Sequence, residues 1–434
     1  MRAEPAVTVW ARYRAVLRHR PFLLLWGAGG VSSLGDHFFL IALMWFTFAA
    51  TRSSLEVAAI AVVSQVTYVV VGPAAGVWAD RWDRRRTLIV CDLVRAGVLG
   101  AFVVITWRGG FSFPLALGAM FLVEATGRFF GPSRAAYLTT LVDPESLVTA
   151  NGLMSGTTQA TGLGGQAVAG VVITALGAVA GILIDAVSFA LSALSLAFIR
   201  NDAPPAGRSR PSVQTSSPSS KRRHRFWGEL ADGYRLLAGI RVLRTLLLFA
   251  IVLNLFFAMI EPAMPAYVHA TLHAGAWAYG LVGSLQFAGG LVGGLVAGGV
   301  AARFRAGPLL GIGAAAAGLL VAACGVLPLV PLALVLWALW GFSLAVVGVV
   351  VQSLEQRLIP RASLARVLAL RSSVGMVAMP VGSLVGGWLA NQMGAGSLYV
   401  VIGAGFLATA LAMMAHPTIR TSDFSPVPSP SAAG

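Results

Sequence analysis

Twelve stretches of predominantly apolar residues, separated by short polar breaks, leave this chain one kind of fold. They run 22–50, 55–79, 87–107, 113–132, 147–172, 179–199, 245–268, 276–302, 308–326, 329–354, 365–390 and 395–415. Each is long enough, at about 1.5 Å per helical residue, to cross a hydrocarbon core of about 30 Å. Backbone inside that core must satisfy its own hydrogen bonds, so segments of this length cross as helices. The fold expected is therefore an all-α membrane protein of twelve transmembrane helices. Composition agrees: 57% of the 434 residues are hydrophobic and only 11% charged, against about 25% charged in soluble domains. Cys91 and Cys324 lie among apolar residues and read as buried thiols, not a disulfide framework.

The formal net charge of +15 would suggest nucleic acid in a soluble protein. Its distribution says otherwise. With the N-terminus placed in the cytoplasm, arginines fall before span 1 (Arg12, Arg14, Arg18, Arg20), between spans 2 and 3 (Arg81, Arg84, Arg85, Arg86) and at the exit of span 4 (Arg128, Arg134). They continue through the middle connection from Arg200 to Arg244, after span 8 (Arg303, Arg305) and after span 10 (Arg357, Arg361, Arg366). The opposite side holds only Arg52 and Arg108. Basic residues held on the cytoplasmic side, against anionic lipid, are the positive-inside pattern; nucleic acid is not an expected partner. Both termini are expected in the cytoplasm, the chain in the cell membrane, and the N-terminal apolar stretch is too long for a cleavable signal core.

The chain echoes itself by halves. Leu147, Ser155, Gly165, Gly170 and Gly177 fall on Leu364, Ser372, Gly382, Gly387 and Gly394, a constant offset of 217, and Gly76, Ala79, Arg81 and Trp82 stand beside Gly298, Ala301, Arg303 and Phe304. Spans 5 and 11, and 2 and 8, therefore correspond, so two six-helix bundles in the same orientation are expected about a central cavity, the arrangement of alternating-access transporters. The expected divisions are a cytoplasmic segment 1–21, a first bundle 22–199, a linker 200–240, a second bundle 241–415 and a disordered tail 416–434. The linker is Pro/Ser-rich and basic from Asn201 to Arg225. Apolar positions at helical spacing over 226–240 then predict a helix lying on the membrane surface.

The stretch Gly76-Val-Trp-Ala-Asp80-Arg81-Trp-Asp83-Arg84-Arg85-Arg86 resembles the signature between spans 2 and 3 of the major facilitator superfamily, with Asp83 where that family generally has glycine. Together with Ser-Leu-Gly-Asp36, Phe-Phe-Gly-Pro-Ser-Arg134 and Ile-Asp185-Ala-Val-Ser-Phe, it is similar to the bacterial branch that includes macrolide efflux pumps and the enterobactin exporter. The resemblance implies proton-coupled export of drug-like compounds or siderophores, by a monomer without cofactor or metal. It also implies that spans 1, 4, 7 and 10 line the cavity and that Gly76, Asp80, Arg81, Arg84, Arg85, Asp92 and Arg95 form a conformational gate. Asp80 is then expected near the positive N-terminal end of span 11. The antiporter motif of span 5 reads Gly165-Gln166-Ala167-Val168-Ala169-Gly170, with Gln166 in place of its proline. Gly165 and Gly170, with Gly382, Gly386 and Gly387 in span 11, are expected helix-packing residues.

A charge at the bilayer centre costs about 2.5–3.5 kcal/mol on insertion scales, so each buried carboxyl needs a reason. Asp36, Glu124 and Glu261 are candidates for proton or substrate binding in spans 1, 4 and 7. Asp36 has no basic residue within a turn; Glu124 precedes Arg128 by four residues, so it serves either transport or an i,i+4 ion pair. Glu261 stands by Pro262 and Pro265, which kink span 7 or cap it. Glu355 reads as a solvated helix end and Asp185 as a packing or interface residue. Asn254, Gln286 and Gln352 either contact substrate or bond between helices. His269 and His273 have metal-ligand spacing but no third ligand, and read as an external loop. No nucleotide-binding or nucleophile motif accompanies them, so an enzyme is not expected. The function expected is secondary active export of amphiphilic small molecules by proton antiport, with membrane lipid as surroundings; a facilitator or importer of the same fold is the alternative, and a non-transporting sensor a third.

Overall fold

The computed structural model describes residues 9–79, 82–199, 239–359 and 363–420. Asp80, Arg81, the linker with nearly all of the expected surface helix, and the tail from 421 lie outside the described residues. Among those described, twelve helices are long and apolar enough to cross a membrane: α1 Arg20–Thr51, α2 Ser54–Ala79, α3 Arg84–Gly109, α4 Phe113–Leu141, α5 Leu147–Leu176, α6 Ala178–Ala197, α7 Arg241–Ala258, α8 Ala276–Arg303, α9 Ala306–Val326, α10 Val330–Leu358, α11 Leu364–Met393 and α12 Ala395–Ala415. The expected spans differ chiefly at their ends. Span 4 extends to Leu141, so Arg128 and Arg134, expected at its exit, stand inside α4.

By contacts the chain divides into two units, residues 1–201 with 264–284, and residues 202–263 with 285–434. The segment 264–284, second-bundle by sequence, thus packs within the first unit. In the first unit α1 packs on α5 and α6, α3 on α4 and α6, and α2 on α4. The second repeats the scheme: α7 packs on α11 and α12, α9 on α10 and α12, and Gly289 and Gly293 of α8 lie against Ala338 and Phe342 of α10. One turn is common to both. Gly177 (φ 86°) joins α5 to α6 and Gly394 (φ 80°) joins α11 to α12, a backbone region closed to side chains with a Cβ. Each glycine N–H closes the preceding helix, on Ile173 at 2.9 Å and on Ala390 at 3.0 Å. The 217-residue offset between these pairs is therefore a repeat of conformation as well as sequence.

Without a hydrophobic drive between helices in lipid, close packing rests on small residues. In α9, Gly311, Gly318 and Gly325 recur every seven residues and meet α12 at Met414, Gly403 and Gly396. A Cβ on Gly318 would come within 2.7 Å of the Gly403 carbonyl oxygen. The corresponding pair in the first unit, α3 on α6, is filled instead by charged and hydroxyl side chains.

Span 7 is broken. α7 stops at Ala258, a short helix covers Ile260–Ala266, and a π turn covers Tyr267–Thr271. Pro262 has no N–H to offer the Ala258 carbonyl and its ring crowds that turn. Ser383 of α11 takes the vacated role, its hydroxyl donating to Ala258 O at 3.2 Å.

Candidate functional site

The interior of the first unit holds a charged core. On α6, Asp185, Ser188 and Ser192 are buried at i, i+3 and i+7, which places them along one helical face. Ser188 donates to Asp185 Oδ1 at 2.9 Å, and Ser192 donates to Asp92 Oδ2 of α3 at 2.5 Å. Arg95, one turn beyond Asp92, approaches it at 3.8 Å. Its guanidinium also lies 5.2 Å from the ring centre of Phe130 and 4.9 Å from that of Phe189, cation–π contacts that offset part of its desolvation. Glycines admit these groups: Gly127 faces the Arg95 guanidinium, Gly29 the Arg134 guanidinium, and Gly35 both Ser188 Oγ and Asp185 Oδ1. Asp36, the next residue on α1, is exposed and interacts electrostatically with Arg95, Glu124 and Arg134.

Glu124 and Arg128 form the i,i+4 ion pair, and the Arg128 guanidinium stands 4.8 Å from the Tyr68 ring centre on α2. A Cβ on Gly35 would overlap Asp185 and Ser188. Gly35→Ala should therefore destabilise the protein by about 1–3 kcal/mol, the usual range for overpacking, read as a lower melting temperature in detergent. An unchanged melting temperature would contradict the close approach of α1 and α6.

The gate residues fall into two groups. Asp83 is the N-cap of α3, accepting from Arg86 N at 2.7 Å, a use glycine cannot serve. Arg84 donates to Ala136 O at 3.2 Å; Arg85 donates to Leu196 O at 3.1 Å and Ala197 O at 2.6 Å. Arg85 thus occupies C-terminal carbonyls of α6, where positive charge is favoured, while Arg84 reaches α4 more than a turn before its end at Leu141. Gly76 lies in α2. Asp92 and Arg95 do not join Arg84 and Arg85; they belong to the charged core.

One expectation is overturned. Glu355 is not a solvated end: it is 2% exposed and bound by Arg371 of α11. Asp185 is buried, and its carboxyl meets Ser188 and Gly35. The signals were available: an arginine inside span 11 needs a buried partner, and an i, i+3, i+7 polar stripe stands out on an otherwise apolar span 6. Glu261 is exposed in the first turn of the short Ile260–Ala266 helix. Arg52 binds the His269 ring, 2.9 Å from Nε2, and a guanidinium there opposes a metal cation; no three-ligand metal group occurs among the described residues.

Helix packing follows the glycines. A Cβ on Gly165 would lie 3.0 Å from Leu34, one on Gly170 2.6 Å from the Ala276 carbonyl, and one on Gly382 3.0 Å from Ala258. Gly386 faces Met259, and Gly387 beside it is buried. The Gln166 side chain reaches Gly283, and Ala167 N donates to Ser284 Oγ at 2.8 Å.

The second unit carries an open cavity of about 430 Å³, within the range of small-molecule sites. Phe257, Met376, Met379 and Met413 contribute to its apolar wall, and Asn254 and Arg371 are its polar points. Asn254 Nδ2 donates to Gly375 O at 3.0 Å, which leaves its carbonyl as the group to offer a ligand. Glu355 neutralises Arg371, so the cavity presents one acceptor and one donor group with little net charge.

Comparison with known proteins places this architecture. A family model described as transmembrane secretion effector matches residues 11–430. The multidrug efflux pump Tap of Mycobacterium tuberculosis is 23% identical over 94% of this chain and 96% of its own length. Macrolide efflux protein A of Streptococcus pyogenes is 24% identical over 93% and 97%. The crystal structure of a bacterial homologue of the iron transporter ferroportin, in an inward-facing state, superposes with a TM-score of 0.71 at 18% identity, covering 92% of this chain and 98% of that one, a likeness of fold. Twelve crossing helices, a pairing scheme used twice and a match along nearly the whole sequence lead to one assignment: the chain belongs to the transmembrane secretion effector family of major facilitator transporters, as a multi-pass membrane protein and not an enzyme.

Proposed function

We propose that this transporter exports bulky amphiphilic compounds across the cell membrane by proton antiport, as a monomer embedded in lipid with both termini in the cytoplasm. The observation that carries the substrate class is the cavity of the second unit, where aromatic and thioether side chains surround one asparagine and one neutralised arginine. Such walls adapt to varied apolar bodies, and the two polar points orient a single polar group. The similarity to the multidrug efflux pump Tap and to macrolide efflux protein A supports the direction. Proton coupling rests on the carboxyls of the first unit, of which Asp36 is exposed and adjacent to the buried core.

Purified protein in proteoliposomes, offered ethidium and erythromycin with and without an imposed pH gradient, tests this. Accumulation is expected only with the gradient, and uptake indifferent to it would favour a facilitator. That second reading has its own observation, Gln166 where the antiporter motif carries proline. Siderophore export is a narrower form of the same proposal, tested by adding a catecholate siderophore to the panel.

A further inference from the structure

The described helices of the first unit carry four carboxyls away from their end turns, Asp36, Asp92, Glu124 and Asp185, and three guanidinium groups, Arg95, Arg128 and Arg134. Two pairs cancel. Asp92 is held by Arg95 and Ser192, and Glu124 by Arg128. That leaves Asp36, Asp185 and Arg134, one negative charge in excess, and Arg95, already shared with Asp92, is the strongest positive charge on both carboxyls.

The packing makes that excess costly. Asp185 is fully buried and its Oδ2 has no hydrogen-bond partner; Oδ1 takes only the Ser188 hydroxyl. The carboxyl presses on Gly35, the residue before Asp36, and Asp36 is the charge that acts on it most strongly. The other charged groups facing it are Arg95 and Asp92 of α3, with Asp36 of α1. Arg134 of α4 acts on Asp36, His37 follows Asp36 on α1, and α5, which also packs on α6, carries no ionisable side chain. An ionised carboxylate with an oxygen facing no donor is expensive in such surroundings, and two neighbouring carboxyls with one unshared counter-charge do not both ionise readily.

We propose that Asp185 and Asp36 together form the proton site of this transporter, sharing a single proton, with Ser188 positioning Asp185. Loading takes a proton from hydronium at the exposed Asp36, forms one carboxyl O–H bond and brings the four carboxyls and three guanidinium groups to charge balance. Release breaks that bond and passes the proton to water at the exposed Asp36, leaving one negative charge in excess. Titration then belongs to the pair and not to either residue alone. This rests on the proton-antiport reading and adds to it a buried partner on α6.

The test uses the full-length protein in proteoliposomes with ethidium and erythromycin as probes. In Asp185→Asn, the ratio of accumulation with and without a pH gradient should fall to about one, while counterflow of labelled against unlabelled probe stays measurable. Ser188→Ala, a mild change within a helix, removes a donor that favours the ionised form. Its pH profile of accumulation should move to higher pH by about one unit, from a charged hydrogen bond of about 1.5 kcal/mol and 1.36 kcal/mol per unit. A purely structural role would lower yield without moving that profile. Gradient-driven accumulation by Asp185→Asn equal to the wild type overturns the proposal, as does an unmoved profile in Ser188→Ala should the first variant fail to fold. Wild-type accumulation driven by sodium, or indifferent to pH, would instead sink the antiport reading and the pair with it.

Discussion

Asp36→Asn is expected to abolish accumulation driven by a pH gradient. One pH unit stores about 1.36 kcal/mol per proton and so supports roughly tenfold accumulation at one proton per substrate. The variant should reach about onefold. Asparagine keeps the shape and hydrogen bonding of the side chain but exchanges no proton. Asp36 is the carboxyl chosen because Glu124 already has Arg128 and Asp92 has Ser192 and Arg95, whereas Asp36 is exposed and lies within reach of three charged neighbours without a direct ion pair to any of them. Undiminished pH-driven transport by the purified variant would remove Asp36 from the mechanism and return attention to Glu124.

The second large effect is expected at Arg371, and it is unequal between partners. Arg371→Ala leaves Glu355 buried and uncompensated, a loss of about 3–5 kcal/mol. Glu355→Ala should cost less, because the Arg371 side chain is 33% exposed against 3% for Glu355 and lines the cavity, where water or ligand solvates it. The double variant should melt above Arg371→Ala alone, a coupling that a double-mutant cycle isolates. Equal damage from the two single changes would show that the pair does not work this way.

Most of the architecture was legible because membrane helices write their own boundaries: an apolar run of sufficient length has no alternative structure in lipid. The repeat was legible through glycine, since Gly177 and Gly394 sit at turns that only glycine enters readily. What the sequence hid were pairings between distant helices. Nothing local tells Glu355 that Arg371 stands opposite, or turns Asp92 towards Ser192, a hundred residues away. Arg95 was misplaced for a related reason: its neighbourhood in sequence is the arginine-rich signature, but eleven residues into α3 it has left the helix end behind and met Phe130 and Phe189. Asp83 departs from the family pattern in sequence, and only its φ, ψ and bond to Arg86 N explain it as a cap.

The broken seventh span has a consequence for how this molecule changes shape. A helix interrupted by a bound ligand can close again when the ligand leaves, but Pro262 lacks its amide proton permanently, so the discontinuity after Ala258 is a fixed property of the covalent chain. The Ile260–Ala266 segment is therefore tied to α7 by fewer intrahelical bonds than an unbroken helix would supply, with Met259 N donating to Phe256 O at 3.2 Å across the joint. The chain passes from one packing unit to the other at residues 263 and 264, within that segment. Ser383 on α11 gives Ala258 O the donor that its own helix can never supply.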